Sequence, residues 1–78
     1  MQIFEIELTS FRQVQDFVKL AAQQPFDIRV GNEWQSINAK DFMGMFSLDY
    51  SRPMRVCVEC PQEAFESFRQ EVYRILNK

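Results

Sequence analysis

A chain of 78 residues, 46% of them hydrophobic and eight of them Phe, has room for one domain, residues 1–78, with one dense core. Its 9 basic and 11 acidic residues leave a net charge of −2, which argues against a nucleic-acid partner, because such partners favour basic surfaces. There is no histidine anywhere, so imidazole is missing from every site the chain can build. No apolar run reaches 18 residues and Met1 leads straight into a strand-like segment, so neither a membrane span nor a signal peptide is expected. The expected location is the cytoplasm, which two cysteines do not contradict. No cofactor is implied.

Residues 2–8, QIFEIEL, set Phe4, Ile6 and Leu8 against Ile3, Glu5 and Glu7, the alternation of a half-buried strand. Residues 11–24 place Phe11, Val14, Val18, Ala21 and Ala22 on one helical stripe, and Pro25 ends that helix. Phe26, Ile28 and Val30 alternate with Asp27 and Arg29 in a second strand, and Gly31-Asn32 signals a hairpin turn. A third strand spans 33–39, with Ile37 and Ala39 inward and Trp34 on the other face. Asp41 caps a short helix over 42–48, and 49–53 form a turn. A fourth strand, 54–60, sets Met54, Val56, Val58 and Cys60 against Arg55, Cys57 and Glu59. Pro61 suits the start of a last helix, whose apolar face is Phe65, Phe68, Val72, Ile75 and Leu76 and which runs to the C-terminus. The order is βαββαβα. It predicts an α+β open-faced sandwich, a four-stranded antiparallel sheet with three helices on one face.

Four features bear on function. Ser10-x-x-Gln13 has the spacing of a capping box, in which the serine hydroxyl accepts from the Gln13 N–H and the Gln13 side chain returns to the serine N–H. The same serine, with Arg12 close by at the positive end of a helix, is also a place to hold an anion. Cys57-x-x-Cys60 can serve as a redox pair on a tight loop, but on a strand residues three apart point to opposite faces, and no further ligands complete a metal site. The run FMGMF, 42–46, is more apolar than one short helix can bury. Met45 and Leu48 are expected to pack. Phe42, Met43 and Phe46 then stay partly exposed, with Phe11 nearby.

The segment NAKDFMGMFSL, 38–48, resembles the stretch N-L-K-S-I-M-G-V-M-S-L of HPr, the histidine-containing phosphocarrier of the bacterial sugar phosphotransferase system. Asn38, Lys40, Met43, Gly44, Ser47 and Leu48 match it. Working back, FDI at 26–28 meets the family's second strand, and SFRQ at 10–13 meets its active-site motif H-A-R-P. The resemblance covers nearly the whole chain and weakens before residue 10 and after residue 60. It implies that Ser10 stands at the phosphoacceptor histidine, that Gln13 replaces the proline, and that Arg12 keeps the arginine. The loop before Ser10 is then about three residues shorter than the family's. Asp41 falls at the serine that a kinase modifies in many members. It is either a cap alone or also a partial mimic of phosphoserine, with one charge against about −1.5 to −2.

The resemblance also implies a docking surface for protein partners. Here it would comprise Phe11, Arg12, Phe42, Met43, Phe46 and Ser47, rimmed by Asp16 and Lys19 along the first helix. The alternative is that these apolar residues only complete the core. Three readings follow. One is a non-catalytic binding or regulatory module, not an enzyme, similar to the family's histidine-lacking paralogues in carbon-source regulation, although their serine is not kept either. The second is a phosphocarrier with Ser10 as an unusual acceptor. The third is a structural subunit that self-associates through the same patch. A serine phosphate is a stable ester, whereas a phosphoimidazole has high transfer potential, so the second reading needs chemistry the family does not use.

Overall fold

The computed structural model describes residues 2–48 and 50–76. Its elements are β1 (Gln2–Ile6), α1 (Phe11–Ala22), β2 (Ile28–Gly31), β3 (Ser36–Asn38), α2 (Phe42–Met45), β4 (Met54–Val58) and α3 (Gln62–Leu76). All strands pair antiparallel in one sheet of order β1-β4-β2-β3. This is the α+β open-faced arrangement the alternation predicts. Asp49 of the predicted turn and the last two residues of the predicted final helix lie outside the described residues.

Side-chain alternation explains why one face is covered and the other is open. Val56 lies opposite Phe4 on one side and Val30 on the other, and Val30 lies opposite Ile37, so one apolar row crosses the whole sheet. A second row links Val58 to Ile28. Glu5, Arg55 and Arg29 alternate with these residues and are exposed on the far face. Against the apolar face α1 lays Val14, Phe17, Val18 and Ala21, the i, i+3, i+4, i+7 set of one helical side. Helix α3 adds Phe65, Phe68 and Val72. Phe4 is the hinge of this packing. Its ring meets Phe65, Phe68 and Tyr73 edge-on at centroid distances of 5.7, 6.2 and 5.9 Å, separations at which aromatic pairs attract beyond their buried area.

Several expectations change. In α1 the buried stripe contains Phe17, and the predicted Phe11 and Ala22 are exposed. Phe11 is the first helical residue, and helical side chains lean toward the N-terminus, so its ring projects beyond the core. Ala22 follows Ala21 by one step around the helix and faces away. The strands are shorter than predicted: Leu8 lies beyond β1 yet is buried, and Trp34 sits in the turn before β3, where it is exposed. Ala39 is buried just after β3, where its N–H donates to the Ile28 carbonyl at 2.9 Å. Helix α2 has four residues rather than seven. Cys57 and Cys60 are half-buried free thiols, Cys57 on the open face beside Arg29 and Cys60 past the end of β4 against the core.

Gly31 also has a different role. It is the last residue of β2, paired with Ser36, and the turn is 32–35. Asn32 closes that turn: its N–H donates to Gln35 O at 2.9 Å, and its Oδ1 accepts from the Trp34 and Gln35 N–H groups at 2.8 and 3.0 Å. The folded-back Gln35 carbonyl crosses so close that a Cβ on Gly31 would lie 1.9 Å from its oxygen. Backbone cannot yield as a flexible side chain does. Gly31→Ala is therefore expected to destabilise the fold by about 2 kcal/mol or more, read as a lower urea midpoint with the slope unchanged.

Candidate functional site

The site lies where the start of α1 meets α2. Ser10 is the N-cap of α1, with extended backbone (φ −144°, ψ 156°), and its Oγ accepts from the Gln13 N–H at 3.2 Å. The return arm differs from the predicted capping box. Gln13 Oε1 accepts from the N–H of Thr9, at 2.7 Å, and from the Thr9 hydroxyl, at 3.1 Å, rather than from Ser10. The other end of the same amide donates to Leu76 O at 3.3 Å. Gln13 thus ties the entry of α1 to the end of α3 and satisfies a carbonyl that the last helical turn leaves without a partner. Leu76 was not legible in this role, because its link to Gln13 spans 63 positions, whereas Thr9 lies only four positions from Gln13.

Arg12 is exposed and makes no ion pair among the described residues. It lines a shallow groove with Ser10, Gln13, Asp16 and Ile75. The Asp16 carboxylate on that groove opposes the arginine's attraction for an anion. Lys19, one turn further on, is exposed. Among the described residues no group of Cys, Asp and Glu is placed to hold a metal ion, and no helix is long and apolar enough to cross a membrane.

On the other side of the site, Asp41 is the N-cap of α2, its Oδ1 accepting from the Gly44 N–H at 3.1 Å. The neighbouring residues are held by specific bonds. Asn38 Oδ1 accepts from the Lys40 N–H at 2.9 Å. Lys40 Nζ donates to Gln24 O beyond the end of α1 at 2.8 Å. Ser47 Oγ donates to Gly44 O at 2.6 Å. Gly44 has no space for a side chain, since a Cβ would lie 2.7 Å from Asp41 Oδ2 and 2.8 Å from Ile37 Cγ2. Leu48 and Met45 are in the core. Met43 has no such duty and is 78% exposed.

The aromatic residues converge. Phe11 stacks on Phe46 with centroids 4.6 Å apart and planes at 21°, and Phe42 meets Phe46 edge-on at 4.6 Å. Phe46 is half-buried against the core, while Phe11 and Phe42 are 63% and 41% exposed. The result is an apolar ridge, Phe42-Phe46-Phe11, with the exposed Met43 following Phe42 in the chain and Arg12 following Phe11. Behind Phe11 and Phe46 lies an apolar groove of about 320 Å³, bounded by the buried Leu8 and Val14 and by Tyr50. The Tyr50 hydroxyl donates to Met45 O, and burial pushes its pKa up to about 12.

No protein-family model matches the sequence, and no curated protein matches it. Solved structures do. HPr-C-His from Thermoanaerobacter tengcongensis is similar over 100% of this chain and 98% of its own, at a TM-score of 0.77 and 23% identity. The phosphocarrier protein HPr from Bacillus anthracis str. Ames is similar over 86% of this chain and 90% of its own, at 0.68 and 22%. The chain has the HPr fold. Likeness at this identity speaks for the arrangement of the backbone, and within it the HPr-like segment 38–48 supplies the turn, the cap and the close packing of α2.

Two outcomes test this site. Gln13→Ala is expected to cost more than Ser10→Ala, which removes one cap bond worth about 1 kcal/mol; paired urea denaturations measure the difference. Tyr50 has a folded pKa raised above the usual 10. The stability it contributes is therefore fully present below pH 10 and lost as pH rises through about 12. Tyr50→Phe should flatten the stability profile across that window.

Proposed function

We propose that the chain is an HPr-like protein of the bacterial phosphotransferase system that has lost its phosphorylatable histidine. On this reading it acts in the cytoplasm as a non-catalytic, regulatory protein-binding module. The observation that supports this most directly is the exposed group Phe11, Phe42, Met43 with the exposed Arg12, in a chain that contains no histidine. Aromatic residues, Met and Arg are the types enriched at the centres of protein interfaces, and Met adapts to the contour of a partner. Asp16, Lys19 and Ser47 form the polar margin. The caps of α1 and α2 hold the ridge in shape before binding, which lowers the ordering cost of association.

Relay of phosphate fits this site poorly. The Ser10 hydroxyl already accepts a backbone N–H, and a phosphoserine there would be a stable ester with little tendency to pass its phosphoryl group onward. Asp41 caps α2 with a single carboxylate, and on this reading it stands where a kinase would otherwise act.

Incubation with phosphoenolpyruvate and the general phosphotransferase enzyme is expected to leave the intact mass unchanged. A stoichiometric gain of one phosphate would establish the phosphocarrier reading instead. Phe42→Ser and Arg12→Ala should each weaken capture of a phosphotransferase or carbon-regulation protein by about tenfold, equivalent to about 1.4 kcal/mol, without unfolding the domain. Light scattering is expected to show a monomer. Dimers that dissolve on Phe42→Ser would assign the ridge to self-association.

A further inference from the structure

The described methionines fall into two classes. Met45 and Met54 are fully buried, at 0% exposure, while Met43 is 78% exposed on the ridge between Asp41 and the aromatic cluster. Met43 neighbours Phe42, which is itself half open to solvent, and its thioether makes no contribution to the core. A two-electron oxidant therefore reaches one sulfur on the candidate docking surface and not the two that hold the fold together.

We propose that Met43 is a methionine sulfoxide switch on this surface, with hydrogen peroxide as the oxidant; the proposal rests on the ridge being the docking surface. The sulfur lone pair attacks one peroxide oxygen. An S–O bond forms, the O–O bond breaks, the sulfur is oxidised by two electrons and water leaves. A thiol-dependent methionine sulfoxide reductase reverses the step, two thiols becoming a disulfide as the oxygen departs as water. The change replaces an apolar, adaptable side chain by a polar one at the Phe42 end of the ridge. It does so without a packing cost, because no core contact is lost. Oxidation of Met45 or Met54 would instead place a sulfoxide among Ile, Val and Leu side chains and undo the fold. The arrangement separates control of the surface from stability of the domain.

The native full chain is treated with hydrogen peroxide, and the oxygen is located by fragmenting the tryptic peptide Asp41–Arg55, which carries Met43, Met45 and Met54 because the Arg52–Pro53 bond resists cleavage. Met43 is expected to gain oxygen faster than Met45 and Met54 by at least on the order of tenfold, with the difference collapsing in denaturant. Comparable rates in the native chain would overturn the proposal. The effect on the surface is read by retention on a phenyl-substituted matrix. Oxidised wild type and Met43→Gln should elute earlier than untreated wild type with no loss of melting temperature, and reductase should restore retention. Met43→Leu should be retained before and after peroxide. If Phe42→Ser elutes early but oxidised wild type does not, the switch is wrong and the ridge stands. If neither changes retention, the ridge itself is wrong and the switch falls with it. A lower melting temperature after oxidation confined to Met43 would also overturn the separation of surface from stability.

Discussion

Helix α2 is a single turn, and one turn can bury only one side. Met45 takes that side and is fully enclosed. Its neighbours in an unusually apolar run must then lie at the surface or along the edge of the core, and Phe42, Met43 and Phe46 do so. Ordinarily such a short helix would fray, since nucleating a turn costs more than one turn returns. Here the turn is fastened at both ends: by the Asp41 cap, by the Ser47 hydroxyl on Gly44 O, and by the Tyr50 hydroxyl on Met45 O. The surface is apolar because the core accepts no more, and it has a defined shape because polar groups hold the backbone beneath it.

The same division of labour governs the start of α1. Ser10 and Gln13 stand in a segment that resembles a phosphate site, yet the bonds they make are internal: Ser10 Oγ accepts from the Gln13 N–H, and the Gln13 amide joins Thr9 to Leu76 O. Bonds of this kind contribute about 1 kcal/mol each to a small domain whose total stability is modest. Exposed beside Ser10 and Gln13 are Arg12 and the face of Phe11, side chains that on the proposed reading serve recognition rather than group transfer.

The resemblance over 38–48 also has a physical content. Asn38 forms the turn, Lys40 reaches back to Gln24 O, Gly44 admits Asp41 and Ile37, Ser47 closes the helix and Leu48 packs. These are requirements of the fold, and they explain how such a short motif can point to an architecture at 22–23% overall identity. Met43 shares the motif but none of these structural duties, which is why it stands apart as a surface residue.

Strand alternation at Phe4/Ile6, Ile28/Val30 and Met54/Val56/Val58, helix periodicity in the last segment, and the Ser10 and Asp41 caps were all legible from local order, because each depends on residues only a few positions apart. The sequence by itself determined the element order, the sheet's two unlike faces and the absence of imidazole chemistry. Local spacing also holds Phe17, which shares one helical side with Val14, Val18 and Ala21, whereas tertiary structure alone decided that Gln13 reaches Leu76 and that Phe11 stacks on Phe46. Those outcomes depend on where a helix ends relative to the sheet and on contacts between distant segments. Neither is encoded in any local spacing, so the site became visible only once the chain had closed upon itself.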